Sequence, residues 1–116
     1  MDDVPIIDRT RLELITRGNA ARADEFLAAL LEEAEDILAG LQTLLAGEDR
    51  GAVKDAAHTL KGMSAEVGAL RLRAAAAALE TEAEPARRLD RLNAINAALA
   101  ELRSHLSANA TPNGSV

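Results

Sequence analysis

The sequence predicts an all-α fold, an antiparallel up-down four-helix bundle with a short N-terminal capping helix. Three observations point there. Apolar residues recur at i, i+3 and i+4 along nearly the whole chain, the spacing that lays one stripe on a helix of 3.6 residues per turn. Alanine supplies 26 of the 116 residues and proline only 3, which favours tightly packed helices over strands. The periodic segments are separated by short breaks bearing glycine or proline, and such breaks suit antiparallel neighbours. A chain of this length buries roughly two-thirds of the surface its unfolded form exposes, enough for one core.

The elements follow in order. Asp8 suits the cap of a first helix over about 8–17, with Leu12 and Ile15 on one face and Gly18-Asn19 as its stop. A long second helix is expected over about 21–46. Its stripe is Phe26, Leu27, Leu30, Leu31, Ala34, Ile37, Leu38, Leu41, Leu44 and Leu45. The acidic residues between Asp24 and Asp36 lie off that stripe and read as a solvated face. Gly47 ends this helix, and Asp49 is a plausible cap for a third over 49–67, closed by Gly68. A fourth, over 70–84, is so rich in alanine that its neighbours must approach closely. Pro85 then suits the first turn of a fifth helix over 85–106, where a missing N–H is harmless. This helix carries Leu89, Leu92, Ile95, Leu99, Leu102 and Leu106 along one side. The domain is thus placed at 1–106. Residues 107–116, small, polar and broken by Pro112 and Gly114, read as a disordered tail.

Composition removes several function classes. There is no cysteine, so disulfides and thiolate-metal sites are excluded. Phe26 is the one aromatic residue, which leaves almost nothing on which nucleobases could stack. A formal charge of −6 also argues against a phosphate backbone as partner. No segment approaches the roughly 18 uninterrupted apolar residues of a membrane span. The acidic start Met1-Asp2-Asp3-Val4-Pro5 lacks the pattern of a secretory signal, so a cytoplasmic location is expected.

The third helix is the segment with chemistry in it. Its apolar stripe is Val53, Ala56, Ala57, Leu60, Met63, Ser64 and Val67. At about 100° per residue that stripe centres opposite His58, so the imidazole points away from the core. Lys54, Lys61, Gly62 and Ala65 share the histidine's side of the helix. Eleven of the 13 basic residues are arginine, and both lysines of the chain flank this one exposed imidazole. A glycine inside a helix costs about 1 kcal/mol relative to alanine. Gly62 lies on the polar face one turn beyond His58, which suggests close approach of another molecule, and Ala65 keeps the next turn low. A neutral imidazole nitrogen is a competent nucleophile toward an activated phosphoryl group. Nearby ammonium groups favour that neutral form and then face the transferred negative charge. Phosphoryl transfer asks for little beyond positioning and charge neutralisation.

These residues closely resemble a known signature. His58-Thr59-Leu60-Lys61-Gly62, with Ser64, Gly68-Ala69, Leu72 and Leu79-Glu80 in register, is similar to the motif of histidine-containing phosphotransfer (HPt) domains. The resemblance extends through Asp8, Leu12, Phe26-Leu27 and Asp49, over roughly residues 8 to 106. It implies a bundle whose His58 accepts a phosphoryl group from a receiver-domain aspartate and passes it to another. By the same resemblance Lys61 contacts the phosphoryl group, Gly62 leaves room for the receiver, and Ser64 and Gly68 support the helix. The partners implied are receiver domains of a hybrid histidine kinase and of a response regulator. Any Mg²⁺ would belong to the receiver, so no metal or other cofactor is expected on this chain. Met63 and Glu66 depart from the small and uncharged polar residues common in the family.

Other readings are weaker. A kinase dimerisation domain would need an ATP-binding domain, and the chain carries neither a glycine-rich lid nor the length for one, so a phosphocarrier and not an enzyme is expected. A helical adaptor without chemistry is the remaining alternative. His105 lies beside the stripe of the last helix and reads as a surface residue; Glu101 and His105 alone make a poor metal site. Arg71, Arg73, Arg87, Arg88 and Arg91 read as a solvated basic face paired with the acidic second helix, with charge steering of a partner as the functional alternative. The bundle can close within one chain, so a monomer is expected.

Overall fold

A computed structural model of the chain describes residues 4–47 and 49–114, with side chains as far as Ser107. Five helices follow one another: α1 (Arg9–Thr16), α2 (Ala20–Gly47), α3 (Arg50–Val67), α4 (Leu70–Glu80) and α5 (Pro85–Gly114). Helices α2 to α5 form an antiparallel ring in which each packs on the next and α5 returns to α2, while α1 lies across α2 and α3. The long axis measures 48 Å and both cross-axes 26 Å. Leu27, Leu41, Leu60, Leu72, Leu79, Ile95, Leu99 and Leu102 fill the centre with essentially no exposure. Ala34, Ala57 and Ala76, also fully buried, let the helices come together between those larger side chains.

The helix starts are chemically explicit. Asp8 and Asp49 accept hydrogen bonds from the backbone N–H of Arg11 and Ala52, at 3.2 and 3.0 Å. Each satisfies one of the donors a helix start leaves open. Asn19 belongs to the start of α2, where its side chain accepts from Arg22 N–H at 3.0 Å. Arg17 and Gly18, with φ of 54° and 75°, make the left-handed exit from α1.

Four sequence expectations need correction. Helix α4 ends at Glu80 and not near 84. Glu84 precedes Pro85, whose ring disfavours helical geometry in the residue before it, and Thr81 Oγ1 bends back to Ala77 O at 3.2 Å. Helix α5 runs through Gly114, past the boundary at 106. Leu102 and half-buried Leu106 pack the turns before this stretch, and Ala108 and Ala110 within it are strong helix formers. The disordered tail placed at 107–116 is therefore helical to 114, and Ser115 and Val116 lie outside the described residues. Phe26 and Leu89, assigned to buried stripes, are 37% and 60% exposed. Lastly, the basic face does not pair with α2. Arg71 binds Glu101 on α5 at 2.8 Å and Arg91 binds Glu82 at 2.8 Å; the residue that reaches α2 is Arg103, through Glu35.

The turn between α3 and α4 fixes the register of the hairpin. Gly68 has φ 78°, and a Cβ there would sit 3.1 Å from Asp8 Cβ and O and 3.2 Å from Arg11 Cβ. The segment before α1 is laced to this turn: Asp8 N–H donates to Gly68 O at 2.7 Å and Leu70 N–H to Ile6 O at 3.0 Å. Arg11 Nε adds a bond to Glu66 O at 2.9 Å, and Arg71 Nε one to Val4 O at 2.6 Å. We expect Gly68→Ala to lower unfolding free energy by roughly 2 kcal/mol, from the left-handed backbone and the tight contact. Gly40→Ala, inside α2 with nothing within 4 Å of the added carbon, should instead raise it by about 1 kcal/mol. Urea denaturation of the two variants tests the pair; a stability loss at Gly40 or none at Gly68 contradicts it.

Candidate functional site

Helix α3 presents two faces, as its spacing predicts. Val53, Ala57, Leu60 and Ser64 are buried, and Ala56, Met63 and Val67 are half-buried. His58, Thr59, Gly62 and Ala65 are exposed on the other side. The His58 side chain is 66% accessible. Its imidazole is nonetheless anchored: Nδ1 lies 2.7 Å from Glu80 Oε2 on the last turn of α4. The same carboxylate takes Lys61 Nζ on its other oxygen, at 2.6 Å. Two cationic or donor groups of α3 therefore share one carboxylate of α4.

The direction of these bonds decides the chemistry. Lys61, then His58, donates to Glu80 and holds its carboxyl below the usual value of 4.5. An ionised carboxylate only accepts hydrogen bonds, so the proton between the two groups resides on Nδ1. In a neutral imidazole that assignment leaves the lone pair on Nε2, in a side chain that is 66% accessible. Nearest to the imidazole is thus a negative charge, where the sequence argument placed two ammonium groups. Lys61 is turned to Glu80, and Lys54, exposed one turn before His58, joins no ion pair among the described residues.

The other predicted positions divide cleanly. Nothing lies within 4 Å of a Cβ built on Gly62, so packing inside this chain does not demand a glycine there. Ala65 is exposed on the same face. Ser64 is fully buried, its hydroxyl donating to Leu60 O at 2.7 Å. Gly68 closes the helix, its N–H bonding back to Ser64 O and Ala65 O. Sequence reasoning noted Glu80 within the motif but gave it no task. The signal was there: a carboxylate follows a core leucine, Leu79, at the end of a helix antiparallel to α3. His105 is half-buried on α5, and Glu101 is committed to Arg71. Among the described residues no group of three or more His, Asp or Glu side chains is placed to hold a metal ion, and no helix is long and apolar enough to cross a membrane.

Comparison with known proteins gives the family and the fold. The family model described as the Hpt domain matches residues 25–107, and the chain belongs to that family, whose members carry phosphoryl groups in phosphorelays and meet receiver domains. Among solved structures it is similar to an X-ray structure from rice named as a histidine-containing phosphotransfer protein. The TM-score is 0.77 and the identity 19%, covering 89% of this chain and 78% of that one. At that identity the likeness speaks for the fold. No curated protein sequence matches the chain.

The depressed Glu80 carboxyl has a consequence for stability. A group whose pKa falls on folding stabilises the native state above its unfolded value, and that contribution is lost as pH drops through the folded value. Wild type should therefore be more stable than Glu80→Gln at neutral pH, and the gap should close as pH falls below 4.5. Denaturation midpoints of the two proteins across that range provide the check. A gap that persists at low pH would mean that Glu80 stabilises by packing alone.

Proposed function

We propose that His58 is the phosphoacceptor of a phosphocarrier that relays a phosphoryl group between the aspartates of receiver domains. The observation that carries this reading is the anchored yet accessible imidazole, with Nδ1 held by Glu80 and the side chain 66% accessible. In the forward step the Nε2 lone pair attacks the phosphorus of a receiver's aspartyl phosphate. The N–P bond forms, the P–O bond to the aspartate breaks, and the aspartate leaves as a carboxylate. No proton has to move. The ring keeps the proton on Nδ1 and gains positive charge, which the Glu80 carboxylate stabilises while holding the ring's orientation. The reverse step, toward an aspartate on a second receiver, runs through the same geometry. Any magnesium ion would come with the receiver.

Lys61 has two tasks in this reading. It neutralises part of the Glu80 charge before transfer, and it can turn toward the phosphoryl oxygens once the phosphohistidine exists. Gly62 and Ala65 keep the surface beside Nε2 low enough for a receiver's active site to reach it. Ser64 and Gly68 hold the helix from beneath and behind.

The test begins with receiver domains loaded with acetyl phosphate and profiled against this protein. Label should pass to wild type and not to His58→Gln, and ATP alone should label neither. Label on neither protein from any receiver would favour an adaptor without chemistry. Gly62→Gln should keep or raise stability, by up to about 1 kcal/mol, yet slow transfer. If its rates equal those of wild type, the access argument is wrong. Lys61→Ala should slow formation of the phosphohistidine or shorten its lifetime, measured as acid-labile label over time.

A further inference from the structure

We propose that the groove between the first turns of α3 and the α4–α5 connection is a docking site for an acidic segment of the receiver that meets His58. This rests on the phosphoacceptor reading and adds to it a means of partner selection. Arg50, Lys54 and Arg88 line the groove together with Glu80, Thr81 and Glu82. Both carboxylates are already matched. Glu80 binds Lys61 and His58, and Glu82 binds Arg91 at 2.8 Å. Arg50, Lys54 and Arg88 form no ion pair among the described residues. Three cations therefore stand uncompensated in one groove of a chain whose formal charge is −6.

Their anchoring marks the groove as ready to bind. Arg50 Nη2 donates to Ala83 O at 2.7 Å, and Arg88 Nε to Glu82 O at 3.4 Å. Each guanidinium is held by one backbone carbonyl and keeps further N–H donors for a guest. Arg88 is only 9% exposed, so little side-chain freedom remains to be lost on binding. Guanidinium groups in fixed positions suit carboxylates, which can accept two parallel bonds from one fork. Lys54 supplies a mobile charge at the rim.

Location selects the guest. Glu80 forms a wall of the groove and also grips His58, so a molecule seated there lies one side chain from the imidazole. A receiver that brings its aspartyl phosphate to Nε2 covers this groove or runs along its edge. Acidic residues outnumber basic ones over the chain as a whole, so the groove offers an acidic partner a favourable landing place beside His58. Lys54 thereby belongs to partner recognition, and not to the phosphoryl group as its place beside His58 suggested.

Two donors separate these roles. The first is the receiver domain that transfers fastest to wild type; the second is phosphoramidate, which needs no docking. Lys54→Glu should lower the second-order rate constant for transfer from the receiver by about tenfold at low salt, and added salt should narrow the gap. Labelling by phosphoramidate should be unchanged, and Lys54→Arg should restore transfer. An unchanged receiver rate in Lys54→Glu would overturn the groove alone. An equal loss with both donors would also overturn it, by placing Lys54 on the phosphoryl group. Failure of wild type to take label from either donor would overturn the His58 reading, and the groove with it.

Discussion

The hairpin of α3 and α4 is the constraint on which the site depends, and the Gly68 turn sets that hairpin. In an antiparallel pair, residues at similar distances from the turn face each other. His58 lies ten positions before Gly68 and Glu80 twelve after it, so fixing the turn fixes their meeting. The left-handed backbone at Gly68 and its contacts with Asp8 and Arg11 hold the turn from outside. Buried Leu60, Leu72 and Leu79 hold the two helices from inside. A slip of one residue at the turn would rotate α4 by about 100° and carry Glu80 away from the imidazole. The short helix α1 and the strap before it therefore act on the chemistry from the far end of α3.

With the register fixed, one carboxylate organises the site. Glu80 meets two donors of different kinds. His58 is bound through Nδ1, and Lys61 through its ammonium. The first bond orients the ring, while the second moderates the negative charge of the carboxylate beside it. Exposure at 66% and a fixed ring are compatible only because the anchor comes from the neighbouring helix. A side chain held by its own helix alone would sample several rotamers, and its ring would spend less time in one place.

Much of this was legible in the sequence because helical geometry is local. Spacing alone put His58 opposite Val53, Ala57 and Leu60, and the absence of any packing demand at Gly62 is in line with its place on the polar face. What depends on two helices at once was not legible. The link from Glu80 to His58 needs the inter-helix register, and the two lysines looked like the imidazole's nearest charges because both share its helix. The ends of α4 and α5 escaped for a related reason. Propensity carried α4 past Glu80, where the restriction before Pro85 and the arginine contacts to the connection stop it. Pro112 and Gly114 suggested a break that the helix does not take at 107. Phe26 and Leu89 were placed by periodicity on stripes wider than the neighbours available to cover them.

Charge distribution extends the same logic from the ring to the partner. The two carboxylates that line the groove are paired within the chain, Glu80 by Lys61 and His58, Glu82 by Arg91. The cations of the groove are not, although acidic residues outnumber basic ones by 19 to 13. Intramolecular pairing could have covered them, and doing so would have cost little at a surface where ion pairs contribute about 0–1 kcal/mol. Leaving them open gains no stability, and mutual repulsion lowers it slightly. Such an arrangement gains its compensation only when another molecule brings the missing negative charge. Gly62 follows the same pattern, giving up helix propensity for a space that nothing in this chain occupies. Under the proposed docking, both features are met by a partner lying across the His58 face of α3.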